Sequence, residues 1–105
     1  MPTVIIRFAE SAVTDLEEIK QWYTEQGVPE VGVRVIRNIV ERIESLRDHP
    51  EMGRIVPEFD QKFLREVIEP PFRIVYRHES KRVRIVRVWR SERQLILPQN
   101  GEESP

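Results

Sequence analysis

Leu46-Arg47-Asp48-His49-Pro50-Glu51-Met52-Gly53-Arg54 is the stretch at which the pattern of the chain changes. Upstream of it, apolar residues recur at three- and four-residue spacing; downstream they alternate or form short β-branched runs. The first pattern puts side chains on one stripe of a helix and the second on one face of a strand. Pro50 has no amide donor and its ring clashes with a preceding helical turn, so the helical half ends before it.

Reading back from Pro50, Val33, Ile36, Ile39/Val40, Ile43 and Leu46 make one helical face, with Pro29 suited to the first turn. Ala12, Leu16, Ile19 and Tyr23 make another, ended by Gly27 and entered through Ser11 and a Thr14/Glu17 capping-box pair. The short Gly27-Val28-Pro29 link makes the two helices an antiparallel hairpin over residues 12–48. Before them, Val4-Ile5-Ile6-Arg7-Phe8 reads as a strand.

Reading forward, Phe63–Glu69, Phe72–Arg77 and Arg82–Arg90 are three strand-like runs, separated by Pro70-Pro71 and by a turn at His78-Glu79-Ser80-Lys81. In the last run the apolar set changes parity, from Val83 and Ile85 to Val86 and Val88, which predicts a bulge or burial of both faces. The expected fold is α+β: an N-terminal strand, then an antiparallel two-helix hairpin packed on a mainly antiparallel sheet that ends in a three-strand meander.

At 105 residues, 39% hydrophobic and 33% charged, the chain suits one small domain, expected over residues 1–97 with a flexible polar tail at 98–105. Charged residues interrupt every apolar run before membrane-spanning length, and no cysteine is present. A cytoplasmic protein without disulfides is the expectation. Net charge is -1, but residues 1–53 hold six Lys/Arg against ten Asp/Glu while residues 54–105 hold eleven against eight. Lys81–Arg93 alone has six basic residues and one acid, which points to a focused anionic contact.

No metal and no cofactor are expected. His49 and His78, the only histidines, fall in different predicted turns without ligand spacing, there is no Gly-rich phosphate loop, and no serine has a histidine within sequence reach. What stands out is arginine: Arg54, Arg65, Arg73, Arg90 and Arg93 lie on or beside the strand runs. Neighbouring strands bring side chains of one face within about 5 Å, so these guanidiniums are expected to converge on one concave patch able to fork onto phosphate or carboxylate. A solvated sheet edge of charged gatekeepers is the plainer reading. Trp89, at a strand end, suits core packing before a stacking platform, Tyr23 suits the core, and Trp22 lies off the seam.

Taken in order, Thr14-Asp15-Leu16-Glu17-Glu18-Ile19 with Tyr23 and Gly27, Leu46 to Arg54, Leu64-Arg65-Glu66, Phe72 to Arg77 and Val83 to Leu95 resemble the RelE/ParE toxin superfamily of type II toxin-antitoxin modules, over about residues 4–95. The resemblance implies a compact cytoplasmic toxin bound by a cognate antitoxin in a hetero-oligomer, with no membrane partner. RelE-like members cleave mRNA on the ribosome without a metal. For that branch the resemblance places Arg73 at the scissile phosphate, Arg65 and Arg54 as further charge and Glu58 as a base. Arg90 stands where most nuclease members have a histidine, and a guanidinium that never deprotonates is a poor acid. ParE-like members instead poison DNA gyrase without known catalytic residues, and this branch is preferred, with Arg73, Arg90, Arg93 and Trp89 as binding residues. The nuclease is the alternative, and an inactive binding-module homologue a further one.

Overall fold

A computed structural model describes residues 4–91. Strand β1 (Ile5–Phe8) runs into helix α1 (Glu10–Glu25), followed by α2 (Pro29–Glu44), a 3-10 turn at Ser45–Arg47, and strands β2 (Arg54–Ile55), β3 (Leu64–Glu69), β4 (Phe72–Glu79) and β5 (Arg82–Arg90). They form one five-stranded sheet in the order β1-β5-β4-β3-β2. β1 lies parallel to β5, and every other pairing is antiparallel. The α+β fold, the helix hairpin and the β3-β4-β5 meander are as expected from sequence.

Gly27 ends α1 at a φ of +81°, a left-handed conformation that costs glycine little. Its amide donates to the Thr24 carbonyl and the Val28 amide to that of Tyr23, satisfying two of the terminal carbonyls before Pro29 starts α2. The entry to α1 differs from expectation. The N-cap is Ala9, whose amide is still bonded to Ile85 at the end of the β1-β5 ladder, so the helix begins at Glu10 and Ser11 lies inside its first turn. No capping box forms: the Ser11 hydroxyl donates to the Val86 carbonyl at 2.7 Å, and Thr14 and Glu17 are mid-helix.

The seam of α2 also needs correction. Gly32, Ile39, Ile43 and then Leu46 are buried, whereas Val33 is 55% and Val40 37% exposed. The helices lie close together at Gly32, where a Cβ would lie 2.9 Å from the Cβ of Tyr23. That contact fixes the rotation of α2 and turns the next residue outward. Ile39, Ile43 and Leu46 then meet Ile6, Ile74, Tyr76 and Ile85 in the main core on the helix side of the sheet. A second cluster of Val56, Leu64 and Val75, with Phe59 and Trp89 against it, covers part of the far face. Val86 is the extra residue between pairs Tyr76↔Ile85 and Val75↔Arg87, which is the bulge the parity change predicts. β4 reaches Glu79, so His78 lies in a strand and the turn is only Ser80-Lys81.

Tyr76 ties the loop before β2 to the core. Its hydroxyl donates to the Pro50 carbonyl at 2.7 Å and accepts from the Gly53 amide at 3.0 Å, and burial pushes its pKa up. At Gly53 a Cβ would lie 2.6 Å from that hydroxyl and 2.7 Å from the Glu66 carbonyl oxygen. Gly53→Ala is therefore expected to destabilise the protein by about 1–3 kcal/mol through overpacking. A thermal melt would show it as a midpoint lowered by roughly 4 °C or more.

Candidate functional site

Alternation along the strands sorts the candidate residues onto two faces. Glu66 and Arg73 follow or precede residues of the helix-side core, so both point to the far face, where Arg54 stands directly opposite Glu66. Arg73 Nε donates to one oxygen of Glu66 at 2.7 Å and Arg54 donates to the other at 2.6 Å. The two terminal nitrogens of Arg73 fork onto Glu58 at 2.8 and 2.9 Å. Glu66 is fully buried and Arg73 nearly so, which is tolerable because each charge is met by an opposite one with hydrogen bonds. Two guanidiniums face two carboxylates, and the cluster is electrically balanced.

Hydrogen bonding to Arg73 is the largest influence on Glu58 and lowers its pKa from an ordinary 4.5 to about 2; Arg73, held mainly by Glu58, moves upward. A carboxyl depressed in the folded state adds stability that is complete above its unfolded pKa and lost as pH falls through the folded one. Because the Glu58 side chain is 44% exposed, solvent screening limits that contribution to about 1 kcal/mol. Glu58→Gln should thus be less stable than the parent by about that amount at pH 7. In urea titrations at stepped pH, the gap should close between pH 4.5 and 2.

Arg65 and Arg90 are on the opposite face from Arg73. Arg65 pairs with Tyr76 and donates to the Gly53 carbonyl at 2.9 Å; Arg90 pairs with Phe72, its guanidinium 5.7 Å from the ring centroid. The expectation of one arginine patch is therefore corrected: Arg54 and Arg73 meet Glu58 and Glu66, while Arg65 and Arg90 are separated from them by the sheet. The reason is the two-residue period, which sends Arg65 and Glu66, or Trp89 and Arg90, to opposite sides. Trp89 is half-buried against the second cluster, with the Arg87 guanidinium 4.3 Å from its ring centroid. Arg93, Leu95–Leu97 and the tail at 98–105 lie outside the described residues.

A pair that the sequence reading did not single out connects the two layers. β1 ends at Phe8, so the outer edge of β5 beyond Ile85 lacks a strand partner, and α1 supplies side chains in its place. Asp15 accepts from the Val88 amide at 2.9 Å and from Arg87 at 2.8 and 2.9 Å, next to the Ser11 bond to Val86. An acid one position from the Ala12-Leu16-Ile19 stripe was the available signal. Past Asp15 a groove of about 550 Å³ opens between α1 and the ends of β4 and β5, walled by Ile19, Trp22, Tyr23, Phe72, Val88 and Arg90. Trp22 is 50% exposed there and stands edge-on to Tyr23 at 4.9 Å. Among the described residues no group of three or more His, Cys, Asp or Glu side chains is placed to hold a metal, and no helix is long and apolar enough to cross a membrane.

Fold and site together define a small α+β domain with a charge-balanced arginine cluster on one sheet face and an open, aromatic-walled groove on the other. Residues 6–95 match the family model described as the ParE toxin of the type II toxin-antitoxin system, parDE, and the chain belongs to that family. Among solved structures it is similar to a chain of the chromosomal ParDE TA system from P. aeruginosa, at 25% identity and a TM-score of 0.72, over 85% of this chain and 97% of that one. Comparison with curated proteins yields no match.

Proposed function

We propose that this ParE-family toxin acts by binding DNA gyrase and not by cutting RNA, and that a cognate antitoxin neutralises it in the cytoplasm by occupying the Trp22 groove. The observation that carries the first part is the neutralisation of Arg73 by two carboxylates. In-line attack on a phosphate needs a proton acceptor, a donor and cations for the developing charge. Arg73 directs three of its five N–H donors to Glu58 and Glu66, which offset its charge. Glu58, with a pKa of about 2, is a weak base. Arg90 lies across the sheet, and the Tyr76 hydroxyl is committed to Pro50 and Gly53.

Inducing the chain alone in a bacterial host is expected to arrest growth with gyrase-linked DNA breaks and intact mRNA. Ribosome-dependent mRNA cuts that disappear in Arg73→Ala would establish the nuclease alternative, and a folded chain without effect on growth would leave an inactive homologue.

For the antitoxin, the groove offers an exposed indole set edge-on to Tyr23, which favours an apolar anchor. Trp22→Glu should fold normally, since the side chain is half-exposed. It should bind the neighbouring gene's product about tenfold or more weakly in calorimetry, as loss of an aromatic anchor does.

A further inference from the structure

The groove past Asp15 has an acidic wall as well as an aromatic one. Glu18, Trp22 and Glu25 stand at i−4, i and i+3 along α1, so the two carboxylates bracket the indole on one stripe of the helix, and all three line the groove. Both glutamates are exposed. Among the described residues Glu18 has no hydrogen-bond or ion-pair partner, and Glu25 meets only the neutral amide of Gln21, at 3.3 Å. Asp15, the third acid of the groove, is already matched by Arg87. On the facing wall Arg90 lies over the Phe72 ring and has a further interaction of its own. Other guanidiniums among the described residues lie over Phe63 and Trp89, and none over Trp22.

We infer that this groove receives an arginine of the antitoxin, its guanidinium stacked on the Trp22 indole and hydrogen-bonded to the Glu18 or Glu25 carboxylate, with an apolar neighbour seated against Ile19 and Val88. The inference rests on the reading of the groove as the antitoxin's site, and it adds the sign of the charge that the antitoxin brings there. Indole is the side-chain ring that attracts a cation most strongly, and carboxylates on either side of it add to that attraction. A guanidinium satisfies both at once, because its plane stacks on a ring while its edge still forks onto a carboxylate. An ammonium has no such plane. A purely apolar segment laid over the indole would take water from Glu18 and Glu25 without giving them a donor, which costs binding energy. An acidic segment would add a like charge beside two carboxylates. Arginine and tryptophan are also among the residues that carry most of the energy at interfaces.

The test is calorimetry of the full chain with the neighbouring gene's product at several salt concentrations, each variant's folding being checked by circular dichroism. Glu18→Lys with Glu25→Lys should weaken binding about tenfold or more, since it sets two like charges against the arginine. Glu18→Gln with Glu25→Gln keeps the side-chain shapes, so it serves even where the lysine pair disturbs the helix. It should weaken binding about fivefold and reduce its dependence on salt. Glu17→Lys with Glu41→Lys makes the same change of net charge at exposed helix positions outside the groove, and should leave affinity within about twofold of the parent. Unchanged or tighter binding in the lysine and glutamine pairs overturns the inference. Where Trp22→Glu still weakens binding in that case, the antitoxin occupies the groove with a neutral or acidic group; where it does not, the groove reading falls as well. A loss in Glu17→Lys with Glu41→Lys equal to that in the groove pair also overturns the inference, since net charge alone then accounts for the effect.

Discussion

Glu66→Ala is expected to destabilise the protein by about 3–5 kcal/mol, the usual cost of removing one partner from a buried ion pair. The Glu66 carboxylate has no solvent exposure and holds Arg54 with one oxygen and Arg73 with the other. Without it, Arg54 turns to solvent, where its side chain already largely lies, but Arg73 Nε is left in a nearly dry site. The loss is a large part of the 5–15 kcal/mol that typically separates folded from unfolded domains. Urea denaturation would register it as a midpoint shift with little change in slope. Replacing Glu66 and Arg73 together by methionine should recover most of the loss, since the penalty belongs to the unmatched charge. A loss below about 1 kcal/mol for Glu66→Ala would mean that the cluster is not closed as described.

Asp15→Ala should have a comparable effect, again about 3–5 kcal/mol, for a second reason as well. Asp15 is the counter-ion of buried Arg87 and also the acceptor for the Val88 amide, which has no strand partner on that side. Its removal takes two hydrogen bonds from a buried guanidinium and leaves a backbone donor unmet at the junction of α1 with the sheet. Asp15→Asn keeps an oxygen for Val88 and should lose less. Hydrogen exchange distinguishes this from general loosening: the Val88 amide should exchange much faster in Asp15→Ala, while the Ile74 amide inside the β3-β4 ladder keeps its relative protection.

How much of this was legible in the sequence differs between fold and site. The helices and the three long strands follow from periodicity, and β5 is found at Arg82–Arg90, where the run of apolar and basic residues placed it. The bulge at Val86 was visible as a change of parity. β2 was not, because two residues show no period and Arg54-Ile55 is a strand only through its pairing with β3. The capping box at Ser11 failed because a hydroxyl that suits a cap is bonded instead to Val86, far along the chain. The exposure of Val33 and Val40 depends on the Gly32–Tyr23 contact, a tertiary fact.

At the site, arginine was the right residue type to notice, but composition does not tell a free guanidinium from a neutralised one. Arg73 and Arg54 are balanced by Glu66 and Glu58, and Glu66, quoted only within the Leu64-Arg65-Glu66 motif, was not chosen as a site residue because a glutamate within a strand run reads as solvent-facing. The groove depends on where α1 leaves the edge of β5, which is set by the end of β1 at Phe8 and by Asp15. Neither fact has a local sequence signal beyond the acid beside the helical stripe.

The central claim is that toxicity comes from binding gyrase, with Arg73 as a structural residue and not a catalytic one. The most direct measurement uses the purified chain in two parallel reactions, one with gyrase and plasmid DNA and one with translating ribosomes and a defined mRNA. The account predicts trapped, gyrase-linked DNA breaks in the first and full-length mRNA in the second, with the breaks retained when Glu66 and Arg73 are both methionine. Ribosome-dependent cleavage of the mRNA that is lost in that double variant, with DNA unbroken, would contradict it.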